Sequence, residues 1–265
     1  MKTIRLTSHG PVTTVSLNRP EARNAFDEIA IAELTDVFST FDDAVRTVIL
    51  TGEGPVFCAG ADINWMKKSV RYGVEENERD ALALARMLRA IDECPPPVIA
   101  RVNGHCLGGG MGLIGACDIV VAVDAALFGY TEVRLGIVPA IISPFTLPKI
   151  GARFARRYYL TGERFSAEIA ERIGLVHEVV SADGLDVTVN GIVKEILKGG
   201  PIAVRTGKTL IRNLLALDRE GAERHSVQAI AQLRASPEGQ EGLAAFLEKR
   251  KPHWIDGGDT GASRF

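Results

Sequence analysis

Along the first half of the chain the apolar positions switch repeatedly between two periods. Thr3–Thr7 and Val12–Leu17 alternate apolar and polar residues on either side of Gly10-Pro11, the pattern of two paired strands joined by a turn. From Asp27 the spacing lengthens: Leu34, Val37, Phe38 and Phe41 fall at i, i+3, i+4 and i+7, which predicts a helix, and the β-rich Thr47–Leu50 follows it. A second unit repeats the order. Ala81, Leu84, Ala85 and Leu88 mark the core face of a helix over about Glu75–Asp92, Cys94-Pro-Pro-Pro97 ends it, and Val98–Val102 is the next strand. A third helix begins in the glycines near Gly109 and leads to a buried strand, Ile119–Val123. Strands that alternate with helices need crossover connections, which are right-handed, so the sheet is predicted to be mainly parallel.

Beyond Gly174–Val180, the last β-like run, the pattern is helical throughout. Leu185–Leu197, Ile202–Leu217 and Glu220–Ala235 precede a final helix, with Ser236 as its N-cap and Pro237 at its first position. Such a tail is too thin to bury all its apolar faces alone, so it is expected to dock on the core or on another subunit.

Composition narrows the function more than the fold. The chain has 265 residues, 31 Lys+Arg against 33 Asp+Glu and a net charge of -2, which supplies no global field to draw it onto nucleic acid or anionic lipid. A small-molecule ligand is the expectation. The N-terminal MKTIRLTSHG has neither the apolar core of a secretory signal nor the Arg/Ser-rich amphipathic pattern of a transit peptide, so a cytoplasmic location is expected. The apolar run Leu107–Cys117 falls well short of the roughly 20 residues that span a bilayer, so no membrane attachment is expected. Cys58, Cys94, Cys106 and Cys117 form no C-x-x-C pair and read as buried thiols in a reducing compartment; no metal-ligand spacing is present.

The sequence holds 27 glycines, and some cluster where chemistry is plausible. Pro55-Val-Phe-Cys-Ala-Gly60-Ala61-Asp62 runs from a strand end into a small-residue turn, with Asp62 placed to cap the next element. In Asn103-Gly104-His105-Cys106-Leu107-Gly108-Gly109-Gly110-Met111-Gly112, three consecutive glycines open a helix directly after a strand. Glycine costs a helix about 1 kcal/mol against alanine, so such a run needs a reason. Close helix–sheet packing is one, and a ligand resting on bare amides is the other. Together the segments offer two backbone N–H groups, at Ala61 and Gly109, that could converge on one oxygen. A phosphate site fits less well: no Lys-Ser/Thr follows the glycines, and their spacing is not G-x-G-x-x-G. A third segment, Phe128–Pro139, carries one carboxylate, Glu132, in a mostly apolar stretch. It is either a surface partner of Arg134 or, in an apolar cleft, a general acid/base with a raised pKa.

With these residues in view, the chain resembles the crotonase (enoyl-CoA hydratase/isomerase) superfamily. Ala59-Gly60-Ala61-Asp62, Asn103-Gly104 through Gly108-Gly109-Gly110, Cys117-Asp118, and Glu132 with Leu135-Gly136 match in order and spacing, and the similarity runs on to Phe246-Leu-Glu-Lys-Arg-Lys251-Pro. The resemblance implies an α/β fold: a spiral of ββα units over about 1–190, and a helical C-terminal region over 191–265 that builds a homotrimer, often paired into a hexamer. It further implies an acyl-CoA thioester substrate, held by the amides of Ala61 and Gly109 as an oxyanion hole, with coenzyme A part of the substrate and no separate cofactor. Arg23, Ala59, Ala61, Asp62 and Ile63 would meet the pantetheine and adenine, and Lys249 or Lys251 the 3′-phosphate.

One departure stands out. Hydratases of this family carry two glutamates, and the position of the first is here Gly112, while Ala140-Ile-Ile-Ser-Pro-Phe145 replaces a usual Gly-rich run. Asp62-Ile-Asn-Trp65-Met66, Glu132 through Phe145, Ala155-Arg-Arg-Tyr158 and Ser236-Pro-Glu-Gly-Gln-Glu-Gly242 look like bacterial methylglutaconyl-CoA hydratases of leucine/isovalerate breakdown, with the isohexenylglutaconyl-CoA hydratases of terpene breakdown as neighbours. Both act on 3-branched enoyl-CoA with a distal carboxylate. Loss of the acid at position 112 is then expected to open volume for the branch and remove a like charge, and Lys67, Lys68, Arg71 or Arg134 is a candidate for meeting the carboxylate. His105 reads as a packed or capping residue. An enoyl-CoA isomerase using the same Glu132 is the alternative activity. RNA binding, through a basic face with Arg153, Arg156 and Arg157, is disfavoured by the net charge.

Overall fold

The structure, a computed structural model, describes residues 1–256. The first hairpin pairs β1 (Ile4–His9) with β2 (Val12–Leu17), antiparallel about Gly10-Pro11. From there each turn of the chain contributes two strands in succession, one to each of two sheets. β3 (Thr47–Gly52), β5 (Val98–Val102) and β7 (Ile119–Val123) extend the large sheet in parallel; β4 (Val56–Cys58), β6 (His105–Leu107) and β8 (Leu127–Gly129) build the small one, also in parallel. β9 (Arg164–Ser166) closes the small sheet antiparallel to β8, and β10 (Glu178–Val180) closes the large sheet beside β7. The orders β1-β2-β3-β5-β7-β10 and β4-β6-β8-β9 are those of a ββα spiral.

The helices that return the chain are shaped by the predicted periodicities. α1 (Glu28–Ser39) is capped by Asp27, which accepts the Ile29 and Ala30 amides, and buries Ala30, Ile31, Leu34, Val37 and Phe38. α2 (Ile63–Ser69) is short, and α3 (Val74–Glu93) packs against α1 through Met87, Leu88 and Ile91. α4 (Gly109–Ala116) is buried from Gly110 to its end and lies at the centre of the molecule between α3 and α5. α5 (Ser143–Thr161) has no counterpart in the sequence reading. Pro148 and a left-handed Gly151 (φ 70°) break its periodicity, yet Thr146, Ile150, Ala155 and Tyr158 still share its buried face.

After α6 (Ala167–Arg172), α7 (Leu185–Lys198) buries Leu185, Val189 and Val193 against β3, β5 and β7, so the division at 190/191 falls inside a helix of the core. The part that stands apart begins at α8 (Pro201–Ala216). Neither α8 nor α9 (Arg219–Ala235) buries a residue fully, and α10 (Pro237–Leu247) buries only Ala245. Polar clasps attach them to the core: Arg205 donates to the carbonyls of Asp42 and Val45, and Lys208 pairs with Asp118 at 2.8 Å. The short α11 (His253–Asp256) then packs on α7, while the last nine residues of the predicted 191–265 region lie outside the described residues. No helix of the described residues is long and apolar enough to cross a membrane.

The loop from Arg19 to Phe26 forms the floor under the β4–α2 turn. Asn24 sits buried within it in a left-handed conformation (φ 54°) and accepts the Arg19 amide at 3.0 Å. Its side-chain nitrogen donates to the carbonyls of Glu53 and Val56, at 2.8 and 2.7 Å. Asn24→Ala would leave three buried backbone groups unpaired and place a Cβ-bearing residue without a side-chain bond in left-handed backbone, so a loss of about 3 kcal/mol is expected in urea unfolding. Asn24→Gly relieves the backbone cost alone and should recover about 1 kcal/mol of it.

Candidate active site

The Ala61 amide is aimed by a single parallel bridge between Phe26 and Ala61. In that bridge the Phe26 N–H donates to the Gly60 carbonyl at 2.9 Å and the Asp62 N–H donates to the Phe26 carbonyl at 3.0 Å. The alternation of extended backbone therefore turns the Ala61 N–H to the opposite side, where it has no acceptor among the described residues. Facing it is the β6–α4 junction. A Cβ on Gly60 would lie 2.9 Å from the Leu107 carbonyl oxygen and 3.1 Å from the Gly109 amide nitrogen, and Gly60 itself has φ 93°. Only glycine permits both the conformation and the contact.

Gly109 is the first residue of α4, so its N–H is one of the helix donors without an intrahelical partner, and no other described residue accepts it. Gly108 before it adopts φ 52° and ψ -127° and donates to the Gly129 carbonyl, which fixes the direction of the helix start. Beneath Gly109 lies Phe26, whose Cζ would stand 2.4 Å from a Cβ there. Both reasons weighed for the glycine run thus hold together: the backbone is tightly packed on one side and leaves bare amides on the other. Ala61 and Gly109 are each half-buried.

Glu132 reaches the same place from β8. It opens a 3-10 turn, Glu132–Leu135, that Gly136 closes in left-handed backbone. Its Oε1 stands 3.9 Å from where a Cβ on Gly108 would be, beside the Gly108–Gly109 junction. Glu132 makes no ion pair with Arg134, which is exposed; its Oε2 is buried and unpartnered among the described residues. Burial without a counter-charge raises its pKa above the ordinary value of 4.5. Asp62 behaves oppositely. Burial alone would raise it, but the amides of Asn64 and Trp65 and the Arg19 guanidinium at 2.9 Å outweigh that and hold its carboxyl low. Asp62 is the N-cap of α2, as its position predicts, and a structural anion.

Gly112 corrects one expectation. No extra volume opens there: a Cβ would meet Ile142 Cγ2 at 2.5 Å, Ile142 Cβ at 3.1 Å and Leu88 Cδ1 at 3.0 Å. The place of a second acid is filled by apolar side chains, Ile142 being 2% exposed. Sequence reading missed Ile142, Leu88 and Phe26, because each acts through a contact that no local pattern encodes.

The other predicted residues are spread more widely. Arg23, exposed and left-handed at φ 53°, accepts the Ala59 amide on its carbonyl, so Arg23, Ala59, Ala61 and Asp62 do lie together, with Ile63 70% exposed beside them. Lys249 and Lys251 are exposed beyond α10, whose packing partners are α8 and α9. Lys67, Lys68, Arg71 and Tyr72 line a surface cavity of about 410 Å³ around the end of α2, with Lys68 paired to Glu28. His105 caps: its Nδ1 accepts the Leu127 amide at 3.1 Å. Arg153 lies over the Phe154 ring, and Arg157 is paired with Glu163. The four cysteines are buried, and burial pushes the thiols of Cys58, Cys94 and Cys117 up to about 12, far from nucleophilic thiolates.

Comparison with known proteins agrees with this geometry. A sequence model described as enoyl-CoA hydratase/isomerase matches residues 7–257. A crotonyl-CoA hydratase of Syntrophomonas wolfei is 37% identical, over 90% of this chain and 92% of its own length. The mevalonyl-coenzyme A hydratase sidH of Aspergillus fumigatus is 38% identical, over 92% of this chain and 91% of its own. Among solved structures, an enoyl-CoA hydratase from Shewanella pealeana superposes with a TM-score of 0.90 at 38% identity, covering 95% of this chain and 96% of that one.

Two outcomes test the site's packing and electrostatics. Gly112→Ala gains about 1 kcal/mol of helix propensity but forces a buried methyl into Ile142, an overpacking of about 1–3 kcal/mol, so net destabilisation is expected in denaturant unfolding. The loss should shrink in an Ile142→Ala background. Glu132→Gln should raise Tm increasingly as pH rises. At low pH the carboxyl is protonated in both states, whereas from the ordinary carboxyl range upward the unfolded chain ionises first and the wild-type fold loses stability until the raised folded pKa is passed.

Proposed function

The chain belongs to the enoyl-CoA hydratase/isomerase family, and on that footing we propose that it hydrates 3-methylglutaconyl-CoA reversibly to 3-hydroxy-3-methylglutaryl-CoA. Crotonase-type chemistry on an acyl-CoA thioester is the footing that membership supplies. The acyl group is the new part. The observation that carries it is the uncharged packing at Gly112, where Ile142 and Leu88 occupy the position of an acid and leave Glu132 without a second acid to act with it. A wall without charge suits an acyl chain that is itself anionic. The relative named as a mevalonyl-CoA hydratase supports a branched chain, since a mevalonyl group has a methyl at C3 and an oxygen beyond it.

In this mechanism the amides of Ala61 and Gly109 hold the thioester oxygen. As a water oxygen bonds to C3, electrons move through C2 onto that oxygen, and the two N–H groups stabilise the enolate more than the ground-state carbonyl. Glu132, as carboxylate, takes the proton released by the water and returns one to C2 from the same face, so addition is syn. Its burial-raised pKa suits both halves of that relay. Dehydration runs through the same steps in reverse. Coenzyme A enters as part of the substrate, with the Arg23–Asp62 cluster beside the thioester and Lys249 or Lys251 as phosphate contacts.

The assembly that fits is a cytoplasmic homotrimer, alone or paired into a hexamer. Its support is the surface of α8–α10, where Ile211 is 64% exposed, Leu215 80%, Phe246 80% and Leu247 78%, apolar side chains of the kind a subunit contact covers. An isomerase is the second reading, favoured by the absence of a second acid, because one glutamate can carry a proton between C2 and C4.

Turnover in 18O-water separates the two activities: hydration places solvent oxygen on C3, and isomerisation never does. Glu132→Gln is expected to lower kcat by about 10²–10⁴; a loss of only a few-fold defeats the single-acid mechanism. The kcat/KM for 3-methylglutaconyl-CoA should exceed that for crotonyl-CoA, and equal values defeat the acyl assignment.

A further inference from the structure

Three buried side-chain polar atoms have no partner among the described residues: Trp65 Nε1, Tyr130 OH and Glu132 Oε2. Buried polar groups in folded proteins are nearly always hydrogen-bonded, so each exception needs an explanation. All three lie in the segments that build the site. Glu132 is its acid. Tyr130, two residues earlier, turns inward, its ring 4.6 Å from Tyr159 and 6.3 Å from Phe165. Trp65 remains, in the first turn of α2 and four residues after Ala61.

The chain's other tryptophan shows how this fold treats an indole whose role is purely structural, for Trp254 donates to the Lys198 carbonyl at 3.1 Å. Trp65 instead rests its ring 6.2 Å from Phe26, the same ring that underlies Gly109, while Glu132 stands over Gly108. The indole thus packs on the ring that underlies one of the paired amides, in the helix that begins just after the other. α2 buries none of its residues fully and is held by the Asp62 cap and the Lys68–Glu28 pair.

We propose that the Trp65 indole N–H reads an acceptor oxygen on the acyl chain, beyond the thioester, and so determines which acyl group is accepted. An indole donates and never accepts, so the group it selects is a carboxylate, carbonyl or hydroxyl oxygen and not an alkyl end. Only the N-cap Asp62 and the first two residues of α2 stand between Ala61 and Trp65, so the amide and the indole belong to one short segment. A neutral donor takes this role in place of the cations on α2, of which Lys68 is already paired with Glu28.

This inference rests on the acyl-CoA reading of the site, and its test separates the two. Trp65→Phe keeps an aromatic ring at the position and deletes the N–H together with part of the indole's apolar area, so the readout is the ratio between two thioesters and not either rate alone. The ratio of kcat/KM for 3-methylglutaconyl-CoA over crotonyl-CoA should fall about tenfold or more; an unchanged ratio, including equal losses on both thioesters, overturns the inference. Indole ¹⁵N–¹H spectra of the wild-type protein supply a readout independent of turnover, with Trp254 as internal reference and Trp65→Phe for assignment. Saturating glutaryl-CoA should move the Trp65 N–H proton downfield and butyryl-CoA should not. No selective shift overturns the inference even if the wild-type enzyme prefers 3-methylglutaconyl-CoA. A selective shift sustains it even if that preference fails and the acyl assignment falls.

Discussion

Everything at this site depends on two backbone segments coming closer than side chains allow. Gly60 lies against the Leu107 carbonyl and the Gly109 nitrogen, and Phe26 lies against the far side of Gly109. The bridge to Phe26 consumes the hydrogen-bonding groups of Gly60 and Asp62 on one edge and leaves Ala61 free on the other. The start of α4 leaves Gly109 free for the general reason that the first amides of a helix have nothing behind them. Strand alternation and helix geometry, two unrelated rules, therefore deliver two donors to one place. Both donors belong to the backbone, so their direction is set by the fold and not by a side-chain rotamer.

The two carboxyls near that pair divide the electrostatics. Asp62 is surrounded by amides and Arg19, remains ionised and orders the chain, whereas Glu132 has apolar neighbours and no cation, so its charge is costly and its proton mobile. The buried cysteines lie near the same turns, but burial keeps them as thiols and outside the chemistry.

Much of this was legible in the sequence, and the divide is physical. The strands and most helices follow from periodicity, and Asp62 and Ser236 cap the helices their positions announce. Ala61, Gly109 and Glu132 stood out because glycine runs and a carboxylate in apolar surroundings carry a local cost that demands a local reason. The features that could not be read depended on pairs distant in sequence. Ile142 against Gly112, Phe26 beneath Gly109 and Asn24 holding Glu53 and Val56 are long-range contacts, and without them Gly112 suggests a void where there is a packed wall. α5 was hidden differently: Pro148 and Gly151 interrupt the pattern of a helix that tertiary packing nonetheless holds together.

Ile142 stands immediately before α5, while the amides come from the β4 and β6 turns, and this separation has a consequence for how such a molecule can change. Ile142, packed against Gly112, belongs to the approach to a kinked helix. The amide pair is locked by backbone contacts that tolerate almost no substitution. The packing around position 112 and the amide pair therefore sit on different parts of the chain, and the first can be altered through α5 and its approach while the second stays fixed.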